Sequence, residues 1–538
     1  MSLKPVGVVG EVSTPTSVDV KASNPLPTGT YVSLRFRVRD PVSGSESVRE
    51  VVGLVGSTVY RSLVPVVTSP EVGAFESFAG SLAPLKHESS MRALIIADIT
   101  GGRAEAPRYP PPPETPVYLA TVEHLRPIYA YNPSTSVRIG YLVGFEELEV
   151  MVNVNALAKH LLVVGTTGSG KSNLVAVIAD RVAQLGGSVV IFDVHGEYRG
   201  LVSESSSVHV VDYEATINLV KAPMDMLTKF IVPEPSATKQ RRLVRNALRD
   251  LNEEVVRYAE ENRLPHSEAV KKLYERAVAS AGIGRGRPEL VHSASAVEAY
   301  RELLKQRLRK LGRDEKAVED AVDKVDDFFE WHKVDVDAPE VSEVVGYGRI
   351  VVIDVSTLTD EEKDYMLKVV AEDLLWALKE RRIPPTLLVV EEAHVFIGSD
   401  SSTRSKEALQ RFAREGRKFG AMLAIVSQRP RALDQNVASQ VQNFALLKLV
   451  QQKDRSFILE VTDVLSDEYT SMLPSLPPGH AILLGEWVGR YPAYVKVDLH
   501  RGKRVGATPD IVGTWRSGLS QVRERLSSGT PSSEWEGV

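Results

Sequence analysis

The stretch Gly165-Thr-Thr-Gly-Ser-Gly-Lys-Ser172 constrains this chain more than any other. It follows the apolar run Leu161 to Val164 and precedes a helix-forming segment, Asn173 to Leu185. Glycines at this spacing let backbone N–H groups turn inward around a phosphate, Lys171 supplies a mobile cation for the outer phosphates, and the Ser172 hydroxyl can ligate Mg²⁺. Strand, loop and helix together are the phosphate-binding unit of a P-loop fold, so the expected class is α/β with a RecA-like ATPase core. Gly165, Thr167, Gly168, Ser169, Gly170, Lys171, Ser172 and Asn173 are the expected nucleotide-binding residues, with ATP and Mg²⁺ as cofactors.

A P-loop needs acids, and the chain offers two places for them. Thr386-Leu-Leu-Val-Val-Glu391-Glu392 is an apolar run ending in paired carboxylates, the Walker B arrangement. Glu391 is expected on the metal with Ser172, and Glu392 as the base that aligns a water on the γ-phosphate. The run Ser188 to Asp193 also ends in an acid, but along the chain it is the strand right after the P-loop helix, whereas RecA-like folds place another strand between P-loop and Walker B. Asp193 is therefore expected at the cofactor site, either supporting the residues that touch the nucleotide from behind or sensing a neighbour, or else as a cap on its own loop. Lys159, beside His160 just before the first strand, either reaches phosphate or a neighbouring subunit or is a solvated strand start.

Two further features belong with this core. Ala421 to Val426 leads to Ser427-Gln428, and a Gln at that strand end either reports on the γ-phosphate and attacking water or is a satisfied polar terminus. Arg411, Arg414 and Arg417 recur at three-residue steps, on one drifting stripe of a helix. They fit an arginine finger for an adjacent subunit, a DNA-backbone contact, or a plain basic surface.

Around the core the texture changes twice. Residues 1–150 hold short β-rich runs between Gly, Pro and Ser, which suggests a small β-barrel; Tyr31 to Val38 alternates, with Arg35 and Arg37 on the outer face. The period becomes helical over 221–336, in segments such as Lys239 to Arg257 and Val297 to Leu311, whose dense mixed charge reads as solvated faces or, less simply, DNA contacts. The expected division is thus 1–150 N-terminal barrel, 151–220 and 337–500 ATPase core, 221–336 helical insertion, and 501–538 C-terminal arm. Arg490 to Val497 reads as an edge strand, because Pro492 cannot donate, and the loop Gly398 to Ser405 as a channel lining through phosphate contacts.

Composition narrows the partners. The chain has no cysteine, which excludes disulfides, thiolate metal sites and cysteine nucleophiles together. Its net charge of −5 argues against a globally basic DNA-coating protein, so nucleic acid would meet a local basic surface. No apolar run reaches the roughly 18 residues a membrane span needs, and Met1-Ser-Leu-Lys-Pro-Val lacks a signal pattern, so a cytoplasmic protein without membrane partners is expected.

Taken together, Gly165 to Asn173, Asp193-Val-His-Gly-Glu-Tyr198, Val390-Glu-Glu-Ala-His394, Ala413-Arg-Glu-Gly-Arg-Lys-Phe-Gly420 and Ser427-Gln-Arg-Pro430 resemble the HerA family of hexameric DNA translocases, within the wider FtsK-like group. The resemblance spans nearly the whole chain. It implies a homohexameric ring with ATP sites between subunits, a channel for double-stranded DNA, and a NurA-type nuclease partner in end resection and double-strand break repair. In that scheme Glu392 is the base, Gln428 the sensor, and Arg417, with Arg414 as second choice, the finger. Two departures stand out: Glu391 replaces the usual Asp, and Val194 replaces a Pro. The competing functions are a pump for single-stranded DNA or protein and a nucleotide-gated scaffold for a nuclease.

Overall fold

The computed structural model describes residues 4–22, 24–39, 44–62, 87–129, 131–280, 295–399, 403–462, 467–489, 491–502, 512–513 and 515–519. Most of the expected arm 501–538 and the middle of the loop Gly398 to Ser405 lie outside them. The chain forms two compact units, Met1–Asp212 with Gly346–Asp364 and Pro384–Val538, and Tyr213–Val345 with Tyr365–Ile383.

The first unit begins with a barrel. Strands β1 (Gly7–Ser13), β2 (Ser17–Ala22), β3 (Tyr31–Arg39), β4 (Glu46–Ser62), β5 (His87–Asp98) and β6 (Pro116–Leu119) close in the order β1-β2-β5-β4-β3-β6. Alternation explains the closure: Val18, Val20, Leu34, Phe36, Met91 and Val117 meet in one core, while Arg35 and Arg37 are exposed. The barrel is shorter than the expected 1–150. Strands β7 (Ser136–Leu142) and β8 (Phe145–Asn153) pair with each other and join the large sheet through β19 (Ala493–Val497). Gly140 makes that junction, since a Cβ there would lie 2.0 Å from the Lys496 carbonyl oxygen.

The large sheet is the nucleotide core. It adds β9 (Leu161–Val164), β10 (Ser188–Asp193), β11 (His209–Glu214), β14 (Arg349–Asp354), β15 (Thr386–Val390), β16 (Ala421–Ser427), β17 (Asn443–Leu446) and β18 (His480–Gly485), in the order β11-β14-β10-β15-β16-β9-β17-β18-β19-β7-β8. From β14 to β17 the strands are parallel, and β9, β10, β15, β16 and β17 are buried at every residue, as their unbroken apolar runs require. The P-loop strand β9 is separated from the acid-bearing β15 by β16, which is the RecA-like arrangement. Beyond β17 the sheet continues antiparallel.

β19 is not the edge strand that Pro492 suggested. It pairs with β18 on one side and β7 on the other. Pro492 stands just before the strand, and its carbonyl accepts a hydrogen bond from the Tyr129 hydroxyl at 2.8 Å, so the missing N–H is never asked for by the ladder.

In the first unit, helix α1 (Lys171–Gln184) follows the P-loop. The second unit holds α2 (Met224–Ile231), α3 (Thr238–Asn262), α4 (His266–Ser280), α5 (Ala296–Leu311) and α6 (Glu315–Trp331), joined by a two-stranded ladder of β12 (Ile217–Asn218) and β13 (Val334–Asp335). Ser295 and Asp314 cap α5 and α6 with their side-chain oxygens. Leu248, Leu251, Val255, Leu304, Val325 and Phe328 form a buried face. Within it Tyr300 donates to Asn252 at 2.6 Å, and Asn252 donates to the Leu219 carbonyl at 2.9 Å, so these buried polar groups are satisfied. No helix among the described residues is long and apolar enough to cross a membrane.

Candidate nucleotide-binding site

At the carboxyl ends of β9, β15 and β16 the first unit has a cavity of about 590 Å³, where ligands of open α/β sheets bind. Thr167, Gly168, Gly170, Lys171, Ser172 and Asn173 line one wall, and His195, Glu197, Glu391, Glu392, Gln428, His500 and Gly502 the rest. Gly165 and Ser169 shape the loop from beneath. A Cβ at Gly165 would sit 2.6 Å from Ser169 Oγ and 2.8 Å from Leu447 Cβ, so only glycine lets the loop fold down there.

The reacting groups are already linked to one another. Thr167 donates to Gln428 Oε1 at 2.6 Å, and Gln428 Nε2 donates to Glu392 Oε1 at 2.8 Å. The strand-end glutamine therefore spans the P-loop and Glu392, the expected base. Glu392 occupies a left-handed backbone conformation, φ 46°, that turns it out of the end of β15. Its Oε2 is buried without a hydrogen-bond partner, although His394 Nδ1 lies 3.2 Å away. His195 Nε2 stands 3.8 Å from Glu392 Oε1. Both carboxylates are held high by burial: Glu392 is raised despite Lys171 and His195, and Glu391 is pushed up to about 8. Burial also lowers the Lys171 ammonium against the opposing pull of Glu392, Glu391 and Glu197.

The segment after β10 helps to build the site, through residues other than the Asp193 that was expected there. Asp193 does not line the cavity, contrary to its place among the expected cofactor contacts. Its two carboxylate oxygens accept the backbone N–H groups of His195, Glu197 and Tyr198 at 3.2, 3.1 and 2.8 Å, which fixes the turn that follows. The loop-cap reading is the one its contacts fit. From that turn Glu197 accepts a hydrogen bond from the Ser172 hydroxyl, and the Tyr198 hydroxyl donates to Glu391 Oε1 at 2.5 Å. Glu391 and Ser172, expected together on the metal, are thus each engaged by a neighbour from this loop. An acid in a Gly-containing loop is too common a pattern to single Glu197 out from sequence.

His500 and Gly502 were also missed, since they follow the last strand, His500 at the end of the expected core and Gly502 in the expected arm. Asn173 brings them in: its amide donates to the Asp498 carbonyl at 2.8 Å and its oxygen accepts from the His500 N–H at 3.0 Å. Asn173 therefore faces the chain itself as well as the cavity.

Lys159, His160, Arg414 and Arg417 also lie apart from this cavity. Lys159 pairs with Glu486. His160 is buried, its Nε2 3.0 Å from the Ala413 carbonyl and its Nδ1 accepting the Leu423 N–H at 3.2 Å, so it ties β9 to β16 as a neutral ring. Arg414, on helix α7 (Arg404–Gly416), and Arg417 just beyond it are exposed and do not line the cavity of their own chain. A second groove, about 820 Å³, is lined by Arg138, Arg181 and Asp498 among others, but Arg138 pairs with Glu149 and Asp498, and Arg181 with Glu204. Its charges are already used.

Comparison with known proteins yields consistent relatives. A family described as "Helicase HerA, central domain" matches residues 137–374. The "DNA double-strand break repair helicase HerA" of Sulfurisphaera tokodaii is 32% identical over 457 residues, 83% of this chain and 84% of that protein. Its namesake in Sulfolobus acidocaldarius is 33% identical over 427 residues, covering 77% of this chain and 79% of that one. Among solved structures, VirB4 of Thermoanaerobacter pseudethanolicus is 17% identical with a TM-score of 0.42, over 69% of this chain and 98% of that chain. The plasmid coupling protein TrwB in complex with ADP and Mg²⁺ is 14% identical with a TM-score of 0.41, over 73% and 94%.

Proposed function

The chain belongs to the HerA helicase family, and from that premise we propose that it is an ATP-driven motor on double-stranded DNA, acting in double-strand break repair. The observation that supports hydrolysis is the continuous link Thr167–Gln428–Glu392 across one cavity. A nucleotide held by the P-loop would meet Gln428 and Glu392 together, since the proposed sensor and the proposed base are hydrogen-bonded to each other. Lys171 neutralises the outer phosphates. Glu392 takes a proton from the attacking water, and its raised affinity for protons, a result of burial, suits a base.

Mg²⁺ fits the donor set: hydroxyl and carboxylate oxygens, Ser172 with Glu197 and Glu391, face or border the cavity. Such an ion is held by few protein oxygens together with phosphates and waters, and bound there it neutralises charge developing on the phosphates.

The same cavity argues for assembly. Among the described residues its wall carries three carboxylates, Glu197, Glu391 and Glu392, against one lysine. Phosphoryl transfer concentrates negative charge, and an arginine supplied from a neighbour is worth roughly 10³ to 10⁵ in rate. Arg417, or Arg414 next to it, is exposed and can serve a neighbouring copy. The reading is a homohexamer with shared sites, a central DNA channel and a nuclease partner of the NurA type at broken ends.

The test is ATP hydrolysis by the full chain with and without duplex DNA. Wild type is expected to accelerate with duplex, and Glu392→Gln to lose roughly 10²- to 10⁴-fold in rate while still binding nucleotide. Equal wild-type rates with and without DNA would sink the DNA-motor reading.

A further inference from the structure

We propose that Glu197, rather than Glu391, is the acid that orients the Ser172 hydroxyl for Mg²⁺ in the nucleotide site. The inference rests on the reading of this cavity as an MgATP site and names a residue for it.

A serine hydroxyl has one proton and two lone pairs. Where the proton goes decides where the lone pairs point. In this chain the proton is given to the Glu197 carboxylate, which leaves the oxygen's lone pairs for a cation beside the phosphates. Glu391 is differently placed. It accepts from the fully buried Tyr198 hydroxyl at 2.5 Å, so its carboxylate is engaged by Tyr198 and not by Ser172. Glu197 is half-buried and reaches the cavity.

Glu197 is also held for the task. Asp193 accepts the Glu197 N–H at 3.1 Å and the flanking His195 and Tyr198 N–H groups, so backbone bonds on both sides aim the carboxylate. A ligand is called for independently by Glu392 Oε2, which is more than nine-tenths buried, lines the same cavity and has no hydrogen-bond partner. The longer Glu391 in place of an Asp gains a rationale: its extra methylene carries the carboxylate to Tyr198, and the metal-side duty falls to the neighbouring loop.

The probe is a fluorescent ADP analogue titrated onto the full-length protein in EDTA and at rising Mg²⁺. Glu197→Ala is expected to raise the Mg²⁺ concentration that half-maximally strengthens binding by about 10- to 100-fold, the usual effect of losing a residue that orients a metal ligand. In EDTA its affinity should be unchanged or tighter, because one negative charge near the phosphates has gone. Glu197→Gln, which keeps an oxygen to accept from Ser172, should recover part of the loss, and Glu391→Gln should shift the Mg²⁺ midpoint less than Glu197→Ala. An unshifted midpoint for Glu197→Ala, equal weakening in EDTA and Mg²⁺, or a larger shift for Glu391→Gln overturns the assignment. Failure of the wild type to bind the analogue at all would instead overturn the ATP reading.

Discussion

The charges of the nucleotide cavity and those of the helical unit obey opposite rules. In the helical unit partly buried charges are answered by others from the same unit: Arg301 meets Asp326 at 2.5 Å, Lys305 meets Glu302 at 2.7 Å, and Arg307 meets Asp250 at 3.1 Å. Burial there is partial, and pairing outweighs it. In the cavity Glu391 and Glu392 are buried deeply enough that desolvation dominates, and Glu392 keeps an oxygen without a donor. The difference teaches where to look for chemistry in a chain with so many charged residues. Folding completes the first set, whereas a ligand has to complete the second.

That contrast can be broken from either side. The largest effect is expected for Gln428→Ala, which cuts the link between Thr167 and Glu392; a fall in hydrolysis on the order of 10² is expected, as for loss of a positioned donor, with thermal stability nearly unchanged. Steady-state ATPase rates beside a melting curve check both halves. An intermediate effect is expected for Tyr198→Phe, which leaves a buried Glu391 oxygen without its donor and should lower stability by about 1–3 kcal/mol in denaturant melts. A stability loss well below that range would mean the carboxyl finds another partner.

The smallest effect belongs to the helical unit. Burial raises the Asp326 carboxyl, but the bonds from Arg301 and Lys305 outweigh it and hold the group below its ordinary 3.8. A depressed acid contributes stability above its unfolded pKa and loses it as pH falls through the folded one. Asp326→Asn should therefore destabilise by less than about 1 kcal/mol at neutral pH, with salt reducing the difference, and the difference should vanish well below pH 3.8. Melts across pH 2 to 7, a range set by about one to three units either side of that value, measure it. A loss of several kcal/mol would erase the distinction drawn between the two regions.

Much of this was legible in the residues. Thr386 to Val390 and Arg349 to Asp354 carry unbroken apolar runs and are strands, and the three- and four-residue spacing from Lys239 onward is helix α3. Local pattern sufficed because each element's own burial wrote it. What escaped depends on pairing across distance. Val495 lies opposite Leu142, and nothing in either stretch announces the other, so β7 and β8 read as part of the barrel and β19 as an edge. The P-loop and Walker B residues were found by motif; Glu197, Tyr198 and His500 were not, because their roles come from hydrogen bonds to Ser172, Glu391 and Asn173 that arise only once three separate segments meet.

The left-handed backbone at Glu392 sets this chain's interests against each other. A side chain in that conformation costs the fold about 1–2 kcal/mol, which glycine would relieve. Heat resistance on its own would favour erasing the carboxylate proposed as the base, and a laboratory selection for stable variants without an activity requirement would drift towards a sturdier chain that no longer hydrolyses ATP.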